Sequence, residues 1–332
     1  MLSVIEGSRI LVTGGTGSIG SEVVRRLIER GASHIVVLSR DDSKQFYMQQ
    51  EFLGHNNVQW VIGDVRDRES LLRAFQRDID HVVHAAALKH VLISEQNPTE
   101  AVKTNILGTQ NVVDLARATG VKSVLMVSTD KAVNPTSTMG ATKYVAEKLA
   151  LDGNSLATRC ACVRFGNVLG SRGSVIPAIV LNAKERGRIW VSDLDVTRFA
   201  MPIPEAAELV LDSLEMMQGG EIFVLKMKAF SLRQLVDVIA AMDIFPSGFE
   251  IDVKGLVRAE KLHEDLITSD ELDRLHEGGR HYIVAPPVGN WTAGEGVHPS
   301  ELKEYNSSHA GRFSDEELTK HVRDCIEALG LD

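Results

Sequence analysis

Short apolar runs alternate with amphipathic stretches through the first half of the chain. Each run is rich in Val and Ile and bounded by polar residues, a pattern typical of buried strands. Between the first two runs, SEVVRRLIERG (21–31) has apolar residues at helical spacing and a terminating glycine. Strands that alternate with helices predict an α/β fold with a doubly wound, parallel Rossmann sheet. The predicted strands are RILVT (9–13), HIVVL (34–38), VQWVI (58–62), HVVHAA (81–86) and SVLMVS (123–128).

The alternation loosens in the second half of the chain. We predict a Rossmann domain over 1–165 and a smaller C-terminal α/β substrate lobe over 166–332, some segments of which return to the first domain. PIPEAAELVLDSLEMM (202–217) and SLRQLVDVIAAM (231–242) are predicted helices, and GEIFVLK (220–226) is a predicted strand. Because ligands of open α/β sheets bind at the carboxyl ends of the strands, we expect the lobe to pack there.

Composition narrows the possible partners. The 332 residues carry a formal net charge of −9, which disfavours nucleic acid and anionic membranes, because these attract basic patches. The first predicted strand starts too early for a secretory signal peptide, and no apolar run approaches the ~18 residues of a membrane span. Cys160 and Cys162 alternate along an apparent strand and are predicted to be core residues rather than a metal pair. We therefore expect a cytoplasmic protein without a metal ion.

A glycine-rich turn, TGGTGSIG (13–20), joins the first predicted strand to the first predicted helix. The glycine spacing permits a tight turn, close approach of the backbone to a pyrophosphate, and close packing of helix and strand. Backbone amides at the helix start would then meet the phosphates, where the helix dipole favours negative charge. The strand before the motif and the helix after it predict a dinucleotide site. The predicted contacts are Gly14, Thr16, Gly17, Ser18 and Ile19.

The end of the second predicted strand bears on the choice between NAD and NADP. An NAD site places an acid there for the ribose hydroxyls, whereas this chain has Ser39 and Arg40 at the turn and its aspartates only afterwards. An arginine can stack on adenine and pair with a 2'-phosphate, so we expect NADP rather than NAD. After the third predicted strand, Asp64 and Val65 are suited to the adenine amino group and ring.

Further motifs carry a family resemblance that covers nearly the whole chain. They are GDVRD (63–67), HAAALKHV (84–91), KTNILGTQNV (103–112), STDKAVNPTSTMGATK (128–143), RFGNVLGSRGSVIP (164–177), VTRF (196–199), GGEIFVLK (219–226) and EKLHEDL (260–266). With the glycine turn they resemble the extended short-chain dehydrogenase/reductases, and among these the UDP-N-acetylglucosamine 4,6-dehydratases of bacterial sugar biosynthesis. The triplet from Thr129 to Lys131 is the most discriminating element. The resemblance adds Ala85, Ala86, Ala87 and Asn105 as cofactor contacts.

Dehydration across C5 and C6 of a hexose becomes feasible once C4 is oxidised to a ketone, because the ketone acidifies the C5 proton. NADP+ would take the C4 hydride and return it to C6, so no net redox change occurs. In the resembled family a lysine takes the C5 proton and an aspartate protonates the leaving hydroxyl. Carried over, these are Lys131 and Asp130, with Thr129 donating to the C4 oxygen. The roles require a lysine able to be neutral and a carboxyl able to hold a proton.

One departure concerns the helix after the triplet. Enzymes of the superfamily place a tyrosine four residues before a lysine, on one helical face. Lys143 is that lysine here, expected at the nicotinamide ribose, but Met139 stands where the tyrosine would be. Either the chain is a cofactor-binding module without activity, or another group takes the C4 hydroxyl proton. We favour an active enzyme, because methionine recurs in branches of the resembled family. We assign the C4 hydroxyl proton to Asp130, because that residue must be protonated before elimination.

The same resemblance indicates substrate contacts. Arg198 is suited to a diphosphate, since a guanidinium pairs bidentately with phosphate. The family usually reads R-P-G-E-K-L before its His-Glu pair, but Val257 stands here at the arginine position and Arg258 at the proline position. The diphosphate role then shifts to Arg258, Arg172 or Arg198, or is weakened. The full predicted set is Lys89, His90, Asn167, Ser174, Val175, Arg198 and Arg258.

The expected substrate is UDP-N-acetylglucosamine or a related UDP-sugar, and the resemblance implies a homo-oligomer. A UDP-sugar 4-epimerase of the same fold is the first alternative. Epimerisation needs no elimination pair, so Asp130 and Lys131 argue against it. A non-catalytic NADP-binding module is the second alternative, supported by Met139 alone.

Overall fold

The computed structural model describes residues 3–242, 248–327 and 330. The strands are β1 (Arg9–Thr13), β2 (His34–Ser39), β3 (Val58–Ile62), β4 (His81–His84), β5 (Ser123–Val127), β6 (Arg159–Arg164), β7 (Asn167–Leu169), β8 (Arg188–Val191), β9 (Thr197–Pro202), β10 (Ile222–Leu225), β11 (Lys228–Ser231), β12 (Glu250–Val253), β13 (Leu275–Gly278), β14 (His281–Val284) and β15 (His298–Pro299).

The helices follow the strands in regular alternation through the first half of the chain. They are α1 (Ser18–Glu29), α2 (Asp42–Glu51), α3 (Arg68–Phe75), α4 (Val91–Gln96), α5 (Pro98–Ala101), α6 (Gly108–Ala118), α7 (Thr138–Asp152), α8 (Val175–Arg186), α9 (Ile203–Met216), α10 (Leu232–Ala240), α11 (Ser269–Leu272) and α12 (Asp315–Glu327). A π-helical segment (Val102–Leu107) joins α5 to α6, and a 3-10 turn (Asp130–Ala132) follows β5.

The main sheet confirms the predicted doubly wound Rossmann architecture. Its order is β15-β13-β14-β10-β6-β5-β4-β1-β2-β3, and the strands from β10 to β3 in that order pair in parallel. Successive strand residues face opposite layers, so Ile10 and Val12 join the core under α1 and α9 while Leu11 joins the core under α3 and α6. Burial on both faces explains the continuous apolar runs of the inner strands, whereas the edge strand β3 is only partly buried.

The second half of the chain builds a smaller unit beside the main sheet. There β7, β9 and β11 form a three-stranded sheet, and β8 pairs with β12. Apolar residues of α8, α10 and α12 pack with these strands in a core of their own. The elements α9, β10, β13, β14 and β15 pack on or join the main sheet instead. The boundary at residue 165 stays a prediction, and positions 1–2, 243–247, 328–329 and 331–332 lie outside the described residues.

Candidate active site

The glycine turn after β1 packs closely against the loop after β4 and the start of α1. Gly14 has a φ of +67°, and a Cβ added there would lie 2.7 Å from the Cα of Ala86. A Cβ on Gly20 would lie 2.4 Å from the carbonyl oxygen of Gly14. Helix α1 begins at Ser18. The residue before it, Gly17, has no side chain that could cap the first amides of the helix. These free donors suit an anionic ligand at the helix start.

A cavity of about 460 Å³ lies in front of this turn and along the carboxyl ends of β1, β2 and β4. The hydroxyls of Thr16 and Ser39 lie 2.7 Å apart at its floor. Three basic side chains border it, Arg40, Lys44 and Arg172, and the Arg172 guanidinium donates to the carbonyl oxygen of Thr16. The predicted residues in its wall are Gly14, Thr16, Gly17, Ser39, Arg40, Val65, Ala85, Ala86 and Ala87.

Other predicted cofactor residues support this cavity from behind. The Asp64 carboxylate lies 2.7 Å from Arg66 and 3.6 Å from Arg40. Although burial opposes the effect, the hydrogen bonds from Arg66 hold the pKa of Asp64 below its ordinary value. Asn105 uses its carboxamide on the backbone of Leu88, at 2.8 and 3.1 Å. It therefore positions the loop after β4.

The other two predicted phosphate contacts lie at the first turn of α1. Ser18 accepts a hydrogen bond of 3.3 Å from the amide of Arg172. The side chain of Ile19 is partly buried against the main core. Neither side chain is in the wall of the cavity, so their backbone amides are the groups that remain for a ligand.

The triplet forms a 3-10 turn directly after β5, with Asp130 at its buried end. The Asp130 amide donates to the carbonyl oxygen of Phe165 at 3.1 Å. Its Oδ1 accepts from the Thr129 hydroxyl at 2.8 Å and from Lys131 Nζ at 3.0 Å. Its Oδ2 is buried without a hydrogen-bond partner among the described residues. An unpaired buried carboxylate oxygen is costly, which makes this atom a candidate for chemistry.

Lys131 lies between two carboxylates. Its Nζ is 3.6 Å from Oε1 of Glu264 and donates to Oδ1 of Asn167 at 3.2 Å. Burial lowers the pKa of Lys131, but the charges of Asp130 and Glu264 outweigh it, so the net shift is upward. The ammonium form is therefore favoured in the ligand-free protein, whereas the predicted role as a base needs a neutral amine.

Glu264 is a residue that the sequence analysis did not single out. It is 3% exposed, and its Oε2 has no hydrogen-bond partner in the part of the chain that the structure describes. Burial raises the pKa of Glu264 above its ordinary value. The only signal in the sequence was the His-Glu pair of EKLHEDL, which the resemblance quoted without assigning a role to the glutamate.

Helix α7 packs against the 3-10 turn through a glycine. A Cβ on Gly140 would lie 2.2 Å from the carbonyl oxygen of Lys131, so a larger residue would push the helix away. Met139 is buried beside it, and Tyr144 is 39% exposed on the outside. Lys143 Nζ donates to the carbonyl oxygen of Val127 at 2.7 Å, and burial lowers its pKa to about 8.

A second cavity, of about 210 Å³, opens beside Lys131 and Glu264. Arg198 lies in its wall but is already paired, because its Nη2 is 2.9 Å from the Glu260 carboxylate. The exposed side chain of Arg258 reaches the rim. The full lining is Val91, Leu92, Lys131, Thr136, Ser137, Arg198, Val257, Arg258, Ala259, Glu260, Lys261 and Glu264.

Four predicted substrate residues lie in two parts of the chain that contact each other, the loop after β4 and the start of α8. Lys89 Nζ donates to the carbonyl oxygen of Arg172 at 2.7 Å, and His90 packs against Gly173, where an added Cβ would lie 2.6 Å from the ring. Ser174 is the residue before the first turn of α8 but makes no capping hydrogen bond, and its buried hydroxyl has no hydrogen-bond partner among the described residues. Val175 follows as the first residue of α8. Arg172, just before α8, contacts both Thr16 and Lys89, so this part of the chain links the glycine turn to the loop after β4.

Comparison with known proteins assigns the chain to a family. Residues 10–286 match the family model described as "Polysaccharide biosynthesis protein". A UDP-N-acetylglucosamine 4,6-dehydratase (inverting) of Campylobacter jejuni is 40% identical over 86% of this chain and 85% of its own. A UDP-glucose 4-epimerase of Rickettsia bellii is 38% identical over 83% and 82% of the two chains.

A solved structure extends the comparison to the whole fold. The X-ray structure of Pen from Bacillus thuringiensis has a TM-score of 0.89 and 36% identity, and the match covers 99% of this chain and 100% of that one. No helix in the described part of this chain has the length and apolar character needed to cross a membrane.

Proposed function

The chain belongs to the polysaccharide biosynthesis protein family, and from that premise we propose that it is an NADP-dependent UDP-N-acetylglucosamine 4,6-dehydratase. Its product would be a UDP-4-keto-6-deoxy-N-acetylhexosamine. The observation that carries the proposal is the contact of 3.0 Å between Lys131 Nζ and the buried Asp130, at the edge of a cavity. Elimination of water needs a base and an acid close together, and these two groups supply both functions.

We assign the proton transfers to atoms of this pair. Oδ2 of Asp130 has no partner among the described residues, so it is free to take the proton of the C4 hydroxyl. The neutral amine of Lys131 would take the C5 proton, and Asp130 would pass its own proton to the departing C6 hydroxyl. Thr129, which donates to Asp130 at 2.8 Å, can turn its hydroxyl to the C4 oxygen. Met139 then needs no proton-transfer role.

The first cavity fits a nicotinamide dinucleotide. The close approach of Gly14 to Ala86 leaves no room for a Cβ, and the uncapped amides of α1 suit a pyrophosphate. The basic residues Arg40, Lys44 and Arg172 around the cavity favour a 2'-phosphate, and hence NADP over NAD. When bound, the cofactor would supply hydride acceptance at C4 and hydride return at C6.

A UDP-sugar 4-epimerase is the second candidate, because a relative of similar identity bears that name. Epimerisation returns the hydride to C4 and leaves the C6 hydroxyl in place, so it requires no acid to protonate a leaving hydroxyl. A non-catalytic cofactor-binding module remains the third candidate, through Met139. The homo-oligomer and the cytoplasmic location stay predictions.

Chromatographic separation and mass determination of the product together distinguish these candidates. The purified protein is incubated with UDP-N-acetylglucosamine, in parallel reactions with NADP+, with NAD+ and without added cofactor. We expect a product that is lighter by one water, formed faster with NADP+ than with NAD+. An isomer of unchanged mass would instead identify an epimerase. Absence of conversion with UDP-N-acetylglucosamine and with UDP-glucose would contradict both enzymatic functions.

A further inference from the structure

We propose that Glu264 is the internal proton acceptor that lets Lys131 become a neutral base. The inference rests on the proposed dehydratase function and adds a third residue to its acid-base machinery. Glu264 acts through Lys131, so it is a positioning residue of the reaction.

The geometry supplies the acceptor. Oε1 of Glu264 lies 3.6 Å from Lys131 Nζ, and its buried Oε2 has no hydrogen-bond partner among the described residues but lies 3.6 Å from Lys261 Nζ. The other carboxylate beside Lys131 is Asp130, whose Oδ1 already accepts from Thr129 and whose Oδ2 is assigned to the C4 hydroxyl proton. A second carboxylate is therefore needed if the lysine is to lose its proton inside a closed site.

The surroundings of Glu264 set the balance of the pair. The charged groups that face it are Lys131 and Asp130 from the turn after β5, Arg198 from β9, and Lys261 from its own segment, at 3.6 Å. Lys261 also donates to the carbonyl oxygen of Val133 at 2.7 Å. Burial favours the neutral carboxylic acid. A substrate that fills the cavity removes water and favours a neutral acid and amine over two buried charges.

The proton transfers balance as follows. The ammonium of Lys131 gives one proton to the Glu264 carboxylate, which leaves an amine and a carboxylic acid. After C4 oxidation, the amine takes the C5 proton, and the electron pair of the broken C5–H bond forms the C5=C6 double bond. The C6–O bond breaks, and Asp130 gives its proton to the departing oxygen, so that water leaves. These proton transfers consume no oxidant or reductant.

The test compares the pH dependence of a variant with that of the wild type. In Glu264→Gln the proton of Lys131 has to leave to solvent before the substrate covers it. We expect ~10²-fold slower dehydration at pH 7. We also expect the ratio of variant to wild-type rate to rise about tenfold per pH unit toward alkaline pH. The ratio cancels the titration of groups that both proteins share.

Two further variants sharpen the readout. Glu264→Asp keeps a carboxylate, so its rate ratio should stay constant with pH, and this measurement is available even if Glu264→Gln does not fold. Glu277→Gln is the matched control, because it removes a carboxylate that pairs with Lys226 at 2.8 Å outside both cavities. It should leave the rate and its pH dependence unchanged.

The Glu264→Gln variant would overturn the inference in either of two ways. Its rate could be within threefold of the wild type at pH 7, or its rate ratio to the wild type could stay constant with pH. A Glu264→Asp ratio that rises with pH like that of the glutamine variant would do the same. A dehydrating wild type with any of these results leaves the proposed function intact. A wild type that removes no water from UDP-N-acetylglucosamine overturns both proposals.

Discussion

Two buried clusters in this protein each place one cation between two carboxylates, but they differ in how completely their carboxylate oxygens are hydrogen-bonded. Arg164 on β6 donates to both oxygens of Glu147 and both oxygens of Glu271, at distances from 2.7 to 2.8 Å. Lys131 lies between Asp130 and Glu264. Each of those carboxylates keeps one buried oxygen without a hydrogen-bond partner among the described residues. A guanidinium has enough donors for four carboxylate oxygens, whereas an ammonium has three.

The difference predicts a structural role for the Arg164 cluster and a catalytic role for the Lys131 cluster. The Arg164 cluster joins α7, β6 and α11 and uses its charges fully, so it fixes the helix that carries Lys143. In the Lys131 cluster two carboxylate oxygens can still accept a hydrogen bond, and the cluster lies beside the second cavity. Buried polar groups without partners are rare and mark functional sites. The two clusters therefore predict opposite responses to substitution, in stability for the first and in activity for the second.

Lys131→Ala gives the largest expected effect. Loss of the base should reduce the rate of dehydration by ~10⁴-fold, the upper range for a proton-transfer group. Binding of NADP+ should remain, because the first cavity does not include Lys131. The measurements are product mass and cofactor titration. Lys226→Ala is the control, since it removes a lysine that pairs with Glu277 outside the site; retained turnover in Lys131→Ala would exclude it as the base.

Arg164→Met tests the structural cluster. It leaves two buried carboxylates without their cation, so we expect the free energy of unfolding to fall by about 3–5 kcal/mol, measured by urea denaturation. Arg188→Met provides the contrast, because its pair with Glu250 is exposed at the surface and should contribute at most about 1 kcal/mol. Similar losses in the two variants would show that the Arg164 cluster is no more important to stability than a surface pair.

The sequence predicted the main sheet well and the reactive cluster only in part. Strands β1 and β3 have the predicted bounds. The apolar run of β1 is unbroken because that strand is buried on both faces, whereas β3 is a partly exposed edge strand. Predicted strand HVVHAA was too long: β4 ends at His84, since the chain then turns toward Gly14. The three-stranded sheet of β7, β9 and β11 gave no comparable signal, because its strands are short and distant in the chain.

The candidate site shows the same limit. Asp130 and Lys131 are adjacent in sequence and were found from their motif, but Glu264 meets them only through the fold. The charge state of Lys131 also depends on that tertiary contact, and no pattern in the chain indicates it. Gly140 was not singled out from the sequence, although its missing side chain is what lets α7 pack against the turn.

Asp130→Asn and Met139→Tyr test which residue handles the C4 hydroxyl proton. Asparagine cannot carry a proton to the leaving hydroxyl, so we expect a loss of ~10²-fold to 10³-fold in dehydration rate. Met139→Tyr should stay within about tenfold, with the remaining loss due to overpacking of a buried position. Rates at saturating substrate are compared, and folding is checked by thermal melting. The opposite order would mean that Asp130 is not the acid.

The smallest expected effect separates the two lysines of the site by pH. Burial lowers the folded pKa of Lys143 to about 8, from an ordinary value of 10.5. Between these values the unfolded chain binds more protons than the native protein, so stability rises with pH across this window. The gain is about 1–3 kcal/mol, and Lys143→Met removes it. Lys131 has a raised pKa, so its contribution is constant until the pH exceeds the ordinary value of a lysine.

Urea denaturation from pH 7 to about pH 10 measures this difference. The wild type should gain stability relative to Lys143→Met as the pH rises through 8, whereas the difference between the wild type and Lys131→Met should stay flat. Groups that titrate equally in each pair of proteins cancel from these differences. A flat difference for Lys143→Met would mean that its ammonium is well solvated or paired in the native protein, contrary to its burial.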